Sequence, residues 1–276
     1  MENDVKTVLR ETGFGFKKKF GQNFITDKNL LASIVSLAGV TATDTVVEIG
    51  CGAGTLTRAL AEKAKRVVAF EVDRTLEPVL AQTLAGFENT EVVFKDFLKV
   101  DLAAFEDEYG EYSVVANLPY YITTPLITKL LDGGKKCKSL AVMVQEEVAE
   151  RLCAKENTPE YGAITAVVAY RARSEIIKRV PRTMFTPRPN VDSAVVKLTV
   201  EDGRIAADET AFKKTVHAAF LSRRKTLVNN LMSVFKTTRE QSEAALLKCG
   251  IDLKARGETL SPQKFADLSK EIEKFL

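Results

Sequence analysis

The chain has 276 residues, of which 45% are apolar and 28% charged, enough for one large core and a smaller second domain. No run approaches the ~18 consecutive apolar residues of a membrane helix, and the N-terminus lacks the apolar core of a signal peptide, so a cytoplasmic protein with no membrane partner is expected. Four scattered cysteines and one histidine exclude a disulfide framework and a thiolate or imidazole metal site, so no metal is expected.

The net charge of +3 is unevenly spread. Residues 1–170 carry 19 Lys+Arg against 24 Asp+Glu, whereas residues 171–276 carry 21 against 13. A basic half beside a mildly acidic one suggests a polyanionic partner at one face.

From about residue 27 to 200, short apolar runs alternate with helical periodicity. The pattern predicts strands at Thr45–Ile49, Arg66–Glu71, Glu91–Lys95, Ser113–Asn117, Ser139–Gln145, Glu175–Val180 and Ser193–Val200. Helical spacing lies between the early strands, as in Leu56, Ala59, Leu60, Ala64 and Leu76, Val79, Leu80, Leu84. Such alternation argues for a doubly wound α/β fold with a mainly parallel sheet. Pro181–Asn190 joins the last two strands without a helix, which predicts an antiparallel pair at one edge. Seven strands with that ending fit the class I methyltransferase variant of the fold. Beyond Val200 the pattern is helical. Asp208 caps a helix carrying Phe212, Val216, Ala219 and Phe220. Thr238-Arg239-Glu240-Gln241 has capping-box spacing, and Ser261-Pro262 opens a last helix. The domains expected are therefore 1–200 and 205–276.

Chemistry concentrates at strand ends. Glu48-Ile49-Gly50-Cys51-Gly52-Ala53-Gly54 closes the first strand with a tight turn in which glycine lets backbone approach a ligand. The spacing is G-x-G-x-G rather than the G-x-G-x-x-G of dinucleotide sites, and a carboxylate two residues before the turn would repel a pyrophosphate. It suits a ligand with a cationic amino acid end, which favours S-adenosylmethionine over NAD. Glu71, ending the second strand, is placed to accept ribose hydroxyls, and Asp96, after the third, to take an adenine amine. Asn117-Leu118-Pro119-Tyr120 ends the fourth strand. Its amide oxygen and a proline-held carbonyl can accept hydrogen bonds from an exocyclic amine, and the tyrosine offers a stacking face. Together these residues point to amino-group methylation of a nucleobase.

Five stretches in order resemble the rRNA adenine N6,N6-dimethyltransferase family. They are Gly21-Gln22-Asn23-Phe24-Ile25, the glycine turn through Thr57, the Asn-Leu-Pro-Tyr tetrad, Phe185-Thr186-Pro187-Arg188-Pro189-Asn190-Val191-Asp192-Ser193, and Ala219-Phe220 with Arg223-Arg224-Lys225-Thr226-Leu227 and Asn229-Asn230-Leu231. The resemblance implies a class I (Rossmann-like) S-adenosylmethionine methyltransferase with a seven-stranded sheet and a small C-terminal all-helical, RNA-binding domain. Residues 1–26 would form an arm closing over the cofactor, with Gln22, Asn23 and Ile25 in contact. Glu48, Gly50, Gly52, Gly54, Glu71, Asp96 and Asn117 would complete the cofactor site. Tyr120 and Phe185 would flank the target adenine beside Asn117, Leu118 and Pro119. Cys51 stands where many relatives have proline. Arg223, Arg224, Lys225 and Asn229, with the basic run Arg171, Arg173, Lys178, Arg179 and Arg182, would contact RNA. Lys17-Lys18-Lys19 could add a basic arm.

The implied activity is dimethylation of two adjacent adenosines in a hairpin near the 3′ end of small-subunit rRNA during ribosome biogenesis. The partner would be that rRNA or a pre-assembled small subunit, met by a monomer. Two rivals share the sequence features: a large-subunit rRNA adenine N6-methyltransferase of the antibiotic-resistance type, and a ribosome-assembly factor whose binding outweighs its catalysis.

Overall fold

The computed structural model describes residues 5–13, 23–201 and 203–275. In chain order the strands are β1 (Phe24–Ile25), β2 (Thr45–Ile49), β3 (Arg66–Glu71), β4 (Thr90–Phe94), β5 (Tyr112–Asn117), β6 (Cys137–Gln145), β7 (Ala172–Val180), β8 (Phe185–Thr186) and β9 (Ser193–Val200). Helices α1 (Val5–Glu11), α2 (Lys28–Ala38), α3 (Thr55–Ala61), α4 (Glu77–Thr83), α5 (Leu102–Tyr109), α6 (Thr123–Gly133) and α7 (Glu146–Leu152) fall among the first six strands or just after them. The rest are α8 (Ala163–Arg171), α9 (Glu209–Ala219), α10 (Leu227–Phe235), α11 (Arg239–Lys248) and α12 (Pro262–Ile272).

Contacts divide the chain into two compact units. One takes the residues up to Ala149 with Glu175–Val200; the other takes Glu150–Ser174 with the residues from Glu201 onward. The first unit carries a seven-stranded sheet in the order β4-β3-β2-β5-β6-β9-β7. Strands β2 to β6 are parallel to their neighbours, and β9 runs antiparallel to β6. All seven expected strands are present, with β6 and β7 starting earlier than expected, at Cys137 and Ala172. Val46, Val47, Val67, Val68 and Val114 are fully buried, which is why the central strands read as unbroken apolar runs. Each such side chain stabilises the fold by roughly 1.5–3 kcal/mol relative to exposure.

This order places the site. The chain winds outward from β2 to β3 and β4, then returns to lay β5 on the other side of β2. The crevice where direction reverses lies beyond the carboxyl ends of β2 and β5. The glycine turn leaves β2 there, and Asn117 ends β5 beside it.

A second, two-stranded sheet pairs β1 antiparallel with β8, Ile25 opposite Phe185. It fastens the end of the Gln-Asn-Phe segment to the Phe-Thr-Pro loop. The N-terminal arm expected over residues 1–26 begins as α1, a helix whose Val5 and Val8 pack with Leu76, Val79 and Leu80. Lys17, Lys18, Lys19 and Gln22 lie outside the described residues.

The second unit is built on helices, with the expected side-chain caps at Asp208, Thr238 and Ser261. It also takes in residues 150–174, which the sequence pattern left with the first domain. The reason is packing: Tyr161 and Ala166 share a core with Phe212, Val216 and Phe265, and the Tyr161 hydroxyl donates to the Leu260 carbonyl at 2.8 Å.

Candidate active site

A cavity of about 450 Å³ opens at the crevice. Asn23, Gly50, Gly52, Glu71, Asp96, Asn117, Leu118, Pro119 and Tyr120 line it, so most of the residues singled out from sequence meet in one place. Gly50, Gly52 and Gly54 have φ of 76°, 55° and 81°, a region that side chains with a Cβ rarely adopt. At Gly52 a Cβ would also come within 2.7 Å of the Phe24 ring. Phe24, which also lines the cavity, therefore packs directly on the bare backbone of Gly52. Gly54, at the start of α3, does not line it.

Two buried carboxylates stand behind this turn in opposite circumstances. Glu71 is 6% exposed. Its Oε2 accepts from the Gly52 N–H at 2.9 Å, and its Oε1 accepts from Val72 and Asp73 N–H groups, each at 2.8 Å. Three of its roughly four acceptor positions are thus occupied, so Glu71 clamps the glycine turn. Glu48 is 2% exposed, and its Oε2 has no hydrogen-bond partner. Burial, reinforced by the charge of Glu71 and opposed by Thr57, pushes its pKa up to about 8. Burial thus favours the protonated form of Glu48. It lines a smaller cavity of about 30 Å³ together with Ile25, Cys51 and Asn117, and not the main one. Asp96 accepts from the Leu98 N–H at 3.0 Å and caps the short turn that follows it.

On the other side of the cavity, Asn117 Nδ2 donates to the Asn23 carbonyl at 2.9 Å. That bond settles which end of the amide is which and leaves Oδ1 as an acceptor. The Leu118 N–H is taken by the Met143 carbonyl at 3.2 Å, which fixes the Asn117–Leu118 peptide, the one before the Leu118 carbonyl. The Tyr120 hydroxyl pairs with Ser193 Oγ at 3.0 Å. Ser193, at the end of the Phe-Thr-Pro stretch, thereby holds the tyrosine, a role not apparent from sequence.

One expectation is corrected. Phe185 is 4% exposed and packs with Val35, Met143 and Val195; it is a core side chain and not a stacking face at the cavity. Its pairing with Ile25 across the small sheet turns the ring inward. Arg223-Arg224-Lys225 lies in the loop between α9 and α10. Arg223 donates to the Tyr161 carbonyl at 2.7 Å and the Pro159 carbonyl at 3.4 Å, and Asn229 Oδ1 accepts from Arg239 at 3.2 Å. Both are bonded within the protein yet exposed, as are Arg224 and Lys225. In the basic run, Arg173 pairs with Glu201, Arg179 with Glu146, and Arg182 with the Asn190 carbonyl. Residues missed from sequence are Tyr121, Lys95 and Lys99, which line the main cavity. Among the described residues, no cluster of His, Cys, Asp and Glu could hold a metal ion, and no helix is long and apolar enough to cross a membrane.

The strand order, the glycine turn and the acids behind it define a class I methyltransferase fold. Solved structures agree. A dimethyladenosine transferase from Plasmodium falciparum superposes with a TM-score of 0.78 at 26% identity, covering 92% of this chain and 100% of that one. The 23S rRNA methyltransferase ErmE gives 0.71 at 26% identity, covering 91% and 99%. A "Ribosomal RNA small subunit methyltransferase A" from Geobacillus thermodenitrificans is 48% identical over 97% of this chain and 94% of its own length. The model of the family described as ribosomal RNA adenine dimethylase matches residues 13–274. The chain belongs to that family, and its activity is adenine dimethylation in ribosomal RNA.

Proposed function

We propose that the chain transfers methyl groups from S-adenosylmethionine to N6 of two adjacent adenosines near the 3′ end of small-subunit rRNA, giving N6,N6-dimethyladenosine. The substrate is proposed from the small-subunit relative at 48% identity, against 26% for the large-subunit enzyme. The chemistry rests chiefly on one observation, the Asn117 amide tied by its nitrogen to Asn23.

The donor set fits the cofactor. Bare glycine backbone lines the cavity, Glu71 keeps an acceptor position for a ribose hydroxyl, and Asp96 stands at the next strand end for an adenine amine. The unpartnered Oε2 of Glu48 behind the turn suits a ligand with a cationic end, because a nearby positive charge favours the ionised form. When bound, S-adenosylmethionine supplies an electrophilic methyl group.

The residues of the chain then act on the acceptor. The N6 lone pair of adenine is delocalised into its ring and is a poor nucleophile. Asn117 Oδ1 and the Leu118 carbonyl accept its two hydrogens, which favours a more tetrahedral nitrogen with its lone pair directed along the transfer line. Tyr120, anchored by Ser193, supplies a face for the base. Positioning and fixed dipoles thus provide the catalysis. The nitrogen becomes cationic and acidic on transfer, so its proton can pass to water without a dedicated base. The second methylation repeats the arrangement with one hydrogen left on N6. Arg224 and Lys225 of the helical unit serve as phosphate contacts, and the protein works as a cytoplasmic monomer.

The test is to incubate separated small and large ribosomal subunits from cells lacking the modification with labelled cofactor and to analyse the nucleosides by mass spectrometry. Label in small-subunit N6,N6-dimethyladenosine is the expected result. Label confined to the large subunit, or monomethyl product at saturation, refutes the proposal.

A further inference from the structure

The cavity mouth holds a second ring that neither the motif nor the mechanism above uses. Tyr121 follows the tetrad directly, in a short 3₁₀ turn over Tyr120–Ile122 that the Ile122 N–H closes onto the Pro119 carbonyl at 3.1 Å. Tyr120 is half-buried and bonded to Ser193, whereas Tyr121 is 63% exposed. Among the described residues it makes no side-chain hydrogen bond or ring contact. Yet it lines the main cavity. Lys95 and Lys99 line the same cavity, are exposed, and have no ion-pair partner among the described residues.

Leaving a tyrosine ring in water at the rim, on a turn stiffened by proline, forgoes the stabilisation that burying it would give. A ligand contained within the cavity cannot cover a ring that is mostly outside it. Only a ligand that enters at one point and continues across the rim can do so, and a polynucleotide has that form. An exposed aromatic face with unpaired ammonium groups nearby is also the combination that holds single-stranded nucleic acid, the ring taking a base and the cations its phosphates.

We propose that Tyr121 is the stacking platform for the nucleotide adjoining the target adenosine, so that the mouth receives an unstacked dinucleotide and not a single flipped base. The inference rests on the proposed rRNA substrate, in which the adjoining nucleotide is the other adenosine. It gives a physical reason for recognising a pair: the adenosine in the cavity has a neighbour for which a face is provided.

The experiment compares wild type, Tyr121→Phe and Tyr121→Ala on small subunits from cells lacking the modification. Cofactor affinity is measured separately by calorimetry. Tyr121→Ala is expected to raise KM for the subunit roughly tenfold with cofactor affinity unchanged, and Tyr121→Phe to stay near wild type. Subunits whose rRNA carries uridine in place of the adjoining adenosine should cost the wild type a similar factor. The two losses should not multiply in the double change, because each removes the same contact. An unchanged KM for Tyr121→Ala, fully multiplicative losses, or an effect confined to cofactor affinity would each overturn the inference while wild-type dimethylation stands. A wild type that forms no N6,N6-dimethyladenosine would overturn the underlying function, and the inference with it.

Discussion

The two sides of the cavity are made differently. On the cofactor side, at the ends of β2 and β3, the working surface is backbone, and the buried Glu71 carboxylate holds it. On the acceptor side, at the end of β5, the working groups are side chains and one carbonyl, with bonds to distant elements beside them: Asn117 to Asn23, the Leu118 N–H to Met143, Tyr120 to Ser193. The first side resists change because it has no side chain to alter without forcing the turn. The second depends on single hydrogen bonds between elements far apart in sequence. Substitutions should therefore separate cofactor binding and folding on one side from turnover and RNA affinity on the other.

The largest effect is expected at Asn117. Asn117→Ala removes an acceptor aimed at the reacting nitrogen and should lower kcat by about 10²–10³-fold, with cofactor affinity changed only a few-fold. Steady-state rates and calorimetric affinity measured on the same preparation check this. A near-normal kcat would mean that the amide does not orient N6.

On the cofactor side, Glu48 makes folding depend on pH. Its pKa rises from 4.5 to about 8 in the folded chain. Between those values the folded state keeps a proton that the unfolded state has released. The stabilising contribution is full below about pH 4.5 and is lost as pH rises toward 8. Glu48→Gln cannot ionise, so its stability relative to wild type should climb over that interval, by on the order of 3 kcal/mol at its end. Denaturant unfolding of both proteins without cofactor at pH 5 and pH 8 measures it. A difference that stays flat with pH would show that Glu48 is ionised when folded.

Gly52 tests the backbone surface itself. Gly52→Ala places a Cβ at positive φ and within 2.7 Å of Phe24, which should cost roughly 2 kcal/mol of stability and weaken cofactor binding. Unfolding midpoints and calorimetry would expose the opposite case, a variant as stable and as tightly binding as wild type.

What could be read from sequence follows the same division. Strands β2, β3, β5 and β6 announce themselves as apolar runs because inner strands are buried on both faces, and the glycine turn because only glycine tolerates its φ. Phe185 was misplaced because its prolines indicate a stiff loop without indicating which way the ring faces. That direction is set by pairing with Ile25, 160 positions away, which leaves no local trace. Tyr120 and Tyr121 are identical neighbours in sequence, yet successive residues of a 3₁₀ turn point about 120° apart, so one ring is half-buried and the other is left in water. Likewise α8 has an evident helical pattern, but nothing in that pattern tells which core it joins.

The smallest expected effect probes one of those untraced contacts. Ser193→Ala removes the partner of the Tyr120 hydroxyl without touching the cavity wall. A partly buried neutral hydrogen bond contributes about 1 kcal/mol, so kcat/KM for RNA should fall about fivefold, with cofactor affinity and folding nearly unchanged. Tyr120→Phe, which deletes the other half of the same bond and keeps the ring, should cost a similar factor. The double variant should cost no more than either alone, because the bond is already absent after the first change. Independent, multiplying losses would mean that the hydroxyl of Tyr120 serves the substrate directly, and the acceptor side would then be less dependent on distant anchors than its geometry indicates.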